Sequence, residues 1–366
     1  MGTVAFFEKL FLRANTLIRK TLTCYGEHKN IHRKKRLINS VTLTSEQVNE
    51  IDAFFKCHYG KKISKSWHKL YQSYTGQYRY NYFPEILFST KLEPKTNNYR
   101  VAELLGDKNL LHAFFGNVPG VHIPKTYLSS VNGIIRTENN RIINLETASK
   151  ALKDIGSCVI KKTVDTSSGR DVQILNIINE YDQNSNQKVF DILRSFGKNY
   201  VVQEKINQSS TLSEFNSSSL NTFRVITYIL NNKINTCPIA LRLGRNNAEK
   251  DNIHYGGLSV GVGFDGKLKP CAFSEYGERY FEHPDSKVPF EGKEIKEIDI
   301  IIEKAKQLHE CMPYLGIISW DLSLDSENMP VLIEMNTTGQ SAWFCQMVNG
   351  EPLFGDNTSK ILEMIR

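Results

Sequence analysis

The chain has 366 residues, 40% of them hydrophobic and 23% charged, with a formal net charge of +7. These totals describe a folded chain of two or three packed units, and no apolar run approaches the roughly 20 residues of a membrane-spanning helix. Seven cysteines, an odd number with no C-x-x-C pair, point to reduced thiols in a cytoplasmic protein and away from a zinc site.

The charge is concentrated at one end. Residues 1–40 hold nine Lys and Arg against two Glu, while the other 326 residues are balanced at 37 of each sign. The body therefore has no bulk attraction for nucleic acid, and any affinity for polyanions lies in this basic arm. The first twenty residues carry charges inside their apolar run and lack a small-residue cleavage site, so no signal peptide is expected. Phe7, Leu10, Phe11, Ala14, Leu17 and Ile18 recur at helical spacing. Such a basic amphipathic helix either packs its stripe on the body or lies on an anionic membrane surface, at the inner face of the membrane for a cytoplasmic protein. "TLTSEQVNEIDAFFKCHYG" opens with a capping signal at Thr44 or Ser45 and continues as a helix. Residues 64–90 are rich in Tyr and Trp, which suits core packing or stacking on a sugar or base. The spacing predicts a mainly helical region over 41–105.

"GDKNLLHAFFGNV" reads as a further helix. From about residue 131 short strands follow, among them "CVIKKTV", "RDVQILNI", "YVVQEKI", "TFRVITYIL" and "LSVGVGF", with "SSTLSEFNSSS" as a polar loop. Helices and mostly antiparallel strand runs in separate blocks indicate an α+β, or mixed α/β, fold class.

"GIISWDLSLDSENMPVLIEMN" reads as a hairpin. With 326–329 as its loop, Asp325 pairs with Pro330 and Asp321 falls opposite Glu334, with Asn336 further along the same face. Opposed acids on an apolar sheet repel one another and lose hydration unless a cation meets them. Two carboxylates and an amide oxygen suit Mg²⁺, which takes one or two protein carboxylates and fills its shell with water and phosphate oxygens.

Asp321, thirteen residues on Glu334, and then Asn336 together resemble the metal triad of the ATP-grasp superfamily, ADP-forming carboxylate–amine ligases and their relatives. "DKN" at 107–109, "SLNTFRVITY" at 219–228, "DNIHYGGLSVGVGFDGKL" at 251–268 and "WFCQMVNGEPLF" at 343–354 narrow the likeness to the sugar-transfer-associated ATP-grasp family, over roughly residues 80–366. The resemblance implies two α+β subdomains clamping ATP: a nucleotide subdomain over 106–206 with the phosphate loop, and a metal and acceptor subdomain over 207–366. It implies that Lys108 and Lys161 contact ATP, with Lys162 an alternative to Lys161. It also implies that Ser167, Ser168 and Gly169 close over the phosphates. The hinge at Gln203 to Ile206 resembles the segment that reads adenine, through the Glu204 carbonyl and the Ile206 amide; Gln203 stands where many relatives carry an acid. No ribose partner is assigned unless Glu214 serves. Asp321, Glu334 and Asn336 would hold two Mg²⁺. Arg224, Arg242 and Lys161 would carry catalysis by offsetting charge on the transferred phosphoryl, each arginine having a structural salt bridge as its alternative role. Asn252, His254, Gly256 and Gly257 would line the acceptor side, the alternative being an ordinary tight turn.

The chemistry implied is amide formation through an acyl-phosphate, with a uronic acid of a surface polysaccharide (capsule or O-antigen) and an amino acid or small amine as expected substrates. A kinase acting on a hydroxyl and a non-catalytic nucleotide-binding scaffold are the alternatives.

Overall fold

The computed structural model describes residues 2–163, 172–246 and 251–366. Ser167, Ser168 and Gly169, expected over the phosphates, lie outside the described residues.

Two antiparallel sheets organise the chain. Strands β1 (Thr126–Val131), β2 (Ile134–Thr137), β3 (Ile142–Ile143), β4 (Gly156–Lys162), β5 (Val172–Ile178), β6 (Tyr181–Asp182) and β7 (Tyr200–Glu204) form the first, in the order β3-β2-β1-β7-β4-β5-β6. The second contains β8 (Thr222–Leu230), β9 (Lys233–Thr236), β10 (Ile239–Leu243), β11 (Leu258–Val262), β12 (Leu268–Phe273), β13 (Arg279–Tyr280), β14 (Ile317–Leu324) and β15 (Pro330–Asn336). Its order is β13-β12-β11-β10-β8-β14-β15, with β9 added beside β8. The α+β reading holds.

Alternation along the strands decides what each sheet buries and what it offers. In β4, Cys158 and Ile160 enter a core closed by the helices Leu145–Ala151 and Val189–Phe196. Val159 and Lys161 therefore point to the other face. In the second sheet, Phe223, Val225, Ile318, Trp320 and Leu322 join a core with the helix Ile298–Glu310. The opposite face of β8 and β14 carries Ile226, Tyr228 and Ile317, covered by the aromatic-rich helices Ser45–His58 and Ser66–Thr75 and by Trp343–Asn349. Of the aromatic residues of 64–90, Trp67, Tyr71, Tyr74, Tyr82, Phe83 and Phe88 are thus core, whereas Tyr80 is exposed. Arg224 and Asp321 lie on this same face, where that helical cover gives way to a cleft.

The helix ends follow the sequence signals in part. Thr44 caps Ser45–His58 in a reciprocal capping box with Gln47. The expected single helix over 106–118 is shorter: a 3₁₀ turn, Lys108–Leu110, capped by Asp107, runs into the helix Leu111–Phe115. The basic arm forms the 32-residue helix Gly2–Arg33.

Candidate active site

A cleft of about 590 Å³ lies between the two sheets. It brings together Lys108, Lys161, Gln203, Glu204, Ile206, Arg224, Arg242, Asn252, His254, Asp321, Glu334 and Asn336 from segments more than two hundred residues apart. Gly256 and Gly257 do not line it. Gly256 has a φ of +92°, which a side chain would strain, and ends the turn Ile253–Tyr255. A Cβ on Gly257 would stand 2.4 Å from the Asp251 carbonyl oxygen, so this glycine serves backbone packing. The tight-turn alternative applies to both.

The hairpin reaches the expected pairing by an unexpected route. Leu324, not Asp325, pairs with Pro330, one residue out of step. A bulge at Ile333 absorbs the offset and restores Asp321 opposite Glu334, with Ser319 opposite Asn336. The bulge also has a use: the Ile333 carbonyl accepts a hydrogen bond from Lys161 Nζ at 3.4 Å, joining the two sheets. Asp325 instead closes the turn, accepting from the Glu327 and Met329 amides at 3.0 and 2.9 Å.

Each acid meets a protein cation. Arg224 faces Asp321 across β8 and β14 and donates from Nε to Oδ1 at 2.6 Å. Arg242 Nη2 donates to Oδ2 at 3.0 Å, and all three side chains are buried. The two guanidiniums outweigh the cost of burial and hold the Asp321 carboxyl below its ordinary range. Arg242 also reaches Asp251 at 3.4 Å and Thr222 at 2.6 Å. Glu334 pairs with Lys108 at 2.8 Å. Lys161 is buried with no ion-pair partner among the described residues; burial first, then the nearby Lys108, lower its pKa to about 8. Lys162 also lines the cleft, with its ammonium near Gly197; of the two, Lys161 is the buried one.

The donor set fits Mg²⁺ in kind: two carboxylates and an amide on adjacent strands of one face are hard oxygen ligands. Asn336 Nδ2 donates to the Ser319 carbonyl at 3.3 Å, an arrangement that orients the amide. For Asp321 and Glu334 to serve a metal, Arg224 and Lys108 must turn to another anion.

At the hinge, Gln203 is buried and donates to Thr126 Oγ1 at 3.1 Å. The Glu204 carboxylate accepts from the Lys125 amide at 3.0 Å and faces His122 Nε2 at 3.3 Å; His122 Nδ1 lies 3.0 Å from Asp325. His122, which sequence reasoning missed, therefore ties the hinge to the hairpin. Glu214 pairs with Lys293 at 2.6 Å and is not among the residues lining the cleft. On the acceptor side, Asn252 caps the turn by accepting from the His254 amide at 2.8 Å. His254 Nδ1 lies 2.9 Å from Glu275, whose other oxygen meets Lys34 at 2.9 Å.

The loop after Asn336 is fixed by the helical region. Glu93 accepts from the Gly339 and Gln340 amides at 3.0 and 2.9 Å, and Glu85 from the Ala342 amide at 2.9 Å. Asn97 donates to the Ile317 and Thr337 carbonyls at 2.7 and 2.8 Å. None of the three was a sequence candidate. Their signal, an acid or amide amid apolar residues in "FPEILF" and "KLEPKTNN", is weak without knowledge of the loop.

Over residues 87–361 the chain matches the family model described as sugar-transfer associated ATP-grasp. No curated protein matches it. Among solved structures it is similar to N5-carboxyaminoimidazole synthetase from Staphylococcus aureus complexed with ADP, at 13% identity and a TM-score of 0.39, covering 67% of this chain and 48% of that one. It is also similar to the L-amino acid ligase from Bacillus licheniformis, at 10% identity and a TM-score of 0.40, covering 71% and 47%. A third is VanG D-Ala:D-Ser ligase from Enterococcus faecalis, at 14% identity and a TM-score of 0.41, covering 72% and 61%. The chain spans about half the length of the first two.

Proposed function

The chain belongs to the sugar-transfer associated ATP-grasp family, and from that premise we propose that it is an ADP-forming ligase joining a carboxylate to an amine through an acyl-phosphate. The observation that carries the reading is the pairing of cations and acids in one cleft. Arg224 holds Asp321 at 2.6 Å and Lys108 holds Glu334 at 2.8 Å, beside a buried lysine, Lys161, with no ion-pair partner among the described residues. A polyphosphate supplies the anion that lets these cations change partners and frees the carboxylates.

In this reading Lys108 and Lys161 take the phosphates, and the Glu204–Ile206 backbone takes the adenine edge. Asp321, Glu334 and Asn336 hold magnesium, which when bound neutralises the phosphate oxygens and polarises the transferred group. A carboxylate oxygen attacks the γ-phosphorus and ADP leaves. The amine nitrogen then attacks the acyl carbon, phosphate leaves with the acyl–oxygen electron pair, and the amine's proton passes to solvent. Arg224 and Arg242 offset the charge that gathers on the transferred group, so catalysis is positioning and charge neutralisation. Asn252 and His254 face the acceptor. The substrates we propose are a uronic acid of a surface polysaccharide precursor and an amino acid or small amine.

The test is ADP release with uronic acids in the presence of hydroxylamine. A hydroxamate that forms with ATP and fails to form with Glu334→Gln supports the ligase. Phosphorylation of a hydroxyl with no hydroxamate from any acid makes it a kinase, and Glu334→Gln that keeps full function in the absence of turnover makes it a scaffold.

A further inference from the structure

The helix Gly2–Arg33 turns its apolar side away from the protein. Phe7, Phe11, Ile18, Leu22 and Tyr25 are all exposed, Phe11 at 69%, Leu22 at 64% and Tyr25 at 67%. Their spacing, with Ala14 between Phe11 and Ile18, runs in steps of three and four residues and defines one face. The body lies half a turn away, against Thr23, Cys24, Glu27 and Ile31, each half-buried. Ile31 packs against the core and Glu27 accepts from Ser89 at 3.1 Å. The side on the protein is thus the more polar one, the reverse of a surface helix that packs its stripe on the core.

The same face changes character at its base. Lys29 and Arg33 continue the series after Tyr25 and are exposed, as are the adjoining Lys35 and Arg36. Lys34 by contrast is buried, paired with Glu275 at 2.9 Å and 4.4 Å from the Trp343 ring centroid, and fixes the foot of the helix to the body. An apolar face with a tyrosine and a cationic cluster at one end matches the boundary of headgroups and acyl chains along the stripe and anionic phosphates at the cluster. No described helix is long and apolar enough to cross a membrane, so the match is to a surface.

We propose that the helix Gly2–Arg33 docks on an anionic lipid bilayer, with its stripe sunk among the headgroups and the cluster from Lys29 to Arg36 on the phosphates. The cationic cluster beside the stripe argues for an anionic lipid surface, which meets both features at once, over a second copy of the chain, which offers no anion to the cluster. This inference stands apart from the ligase reading.

The experiment is flotation of the full chain with vesicles of phosphatidylcholine alone and of phosphatidylcholine with phosphatidylglycerol. Recovery only with the anionic vesicles, reduced by salt, is expected. Phe11→Glu with Ile18→Glu, and separately Lys29→Glu with Arg33→Glu, should each weaken partition by more than about tenfold, with ATP binding unchanged. Failure of the parent protein to float, equal recovery on neutral vesicles, or a dimer dissociated by the Phe11 and Ile18 substitutions would overturn the proposal.

Discussion

Asp321→Asn should cost the protein about 3–5 kcal/mol of stability before any question of turnover arises. The carboxylate balances two buried guanidiniums, at 2.6 Å from Arg224 and 3.0 Å from Arg242. With charge centres near 4 Å and an effective dielectric of about 20, each pair is worth about 4 kcal/mol. Relief from burying the carboxylate offsets several kcal/mol of that sum, which leaves the figure for breaking a buried pair. Arg242 keeps Asp251 at 3.4 Å, whereas Arg224 has no other ion-pair partner among the described residues. Removing the stranded charge in Arg224→Met/Asp321→Asn should therefore recover part of the loss, a coupling that a double-mutant cycle reads directly. Urea denaturation is the assay, as a fall in midpoint at constant slope. Because the folded-state pKa of Asp321 lies below its usual 3.8, its contribution is present above that pH and lost as the pH drops below it. The loss between parent and Asp321→Asn should shrink accordingly in acid. A single variant within about 1 kcal/mol of the parent, or a double variant worse than the sum of the singles, would refute this account of the pair.

Lys161, with its pKa lowered to about 8, loses its ammonium as the pH rises from 7 to 9; ATP affinity measured by calorimetry should fall over that range, and Lys161→Arg should flatten the profile. Burial, against the Gly339 and Gln340 amides, raises Glu93 from 4.5 to about 7. The folded state then binds the extra proton, so stability falls by about 3 kcal/mol as the pH climbs from 4.5 to 7. Glu93→Gln should remove that slope in urea midpoints and be the more stable protein at pH 8. Glu275 is pushed down to about 2, His254 and Lys34 prevailing over burial. Its contribution is present above pH 4.5 and lost toward pH 2, so Glu275→Gln should be less stable than the parent at neutral pH and converge with it in acid.

Much of the second sheet was legible because its polar residues are costly where they stand. Glu334, Asn336 and Arg224 interrupt strands that are otherwise apolar, and an unpaired charge there has no stable alternative to a partner. The bulge at Ile333 was not legible. It leaves no mark in an apolar run, and it cancels a one-residue offset that begins at the turn, so the pairing of Asp321 with Glu334 comes out as if neither were present. Glu85, Glu93 and Asn97 escaped for a different reason: their partners are backbone amides and carbonyls of Gly316–Ala342, and backbone groups carry no signature in sequence. Gly256 and Gly257 illustrate the reverse error, since a glycine pair signals backbone freedom without saying what approaches it. The arm shows the same limit. Its stripe is plain in the spacing, but whether that stripe faces the body depends on where Ile31 and Lys34 find their contacts.

The central claim is that one cleft grips a triphosphate through magnesium held on β14 and β15. Calorimetric titration of the protein with ATP, with magnesium present and then chelated, tests it most directly. The account predicts that chelation weakens binding by more than about tenfold in the parent and leaves Glu334→Gln almost unchanged. ATP affinity indifferent to magnesium in the parent, or no affinity at all, would contradict it.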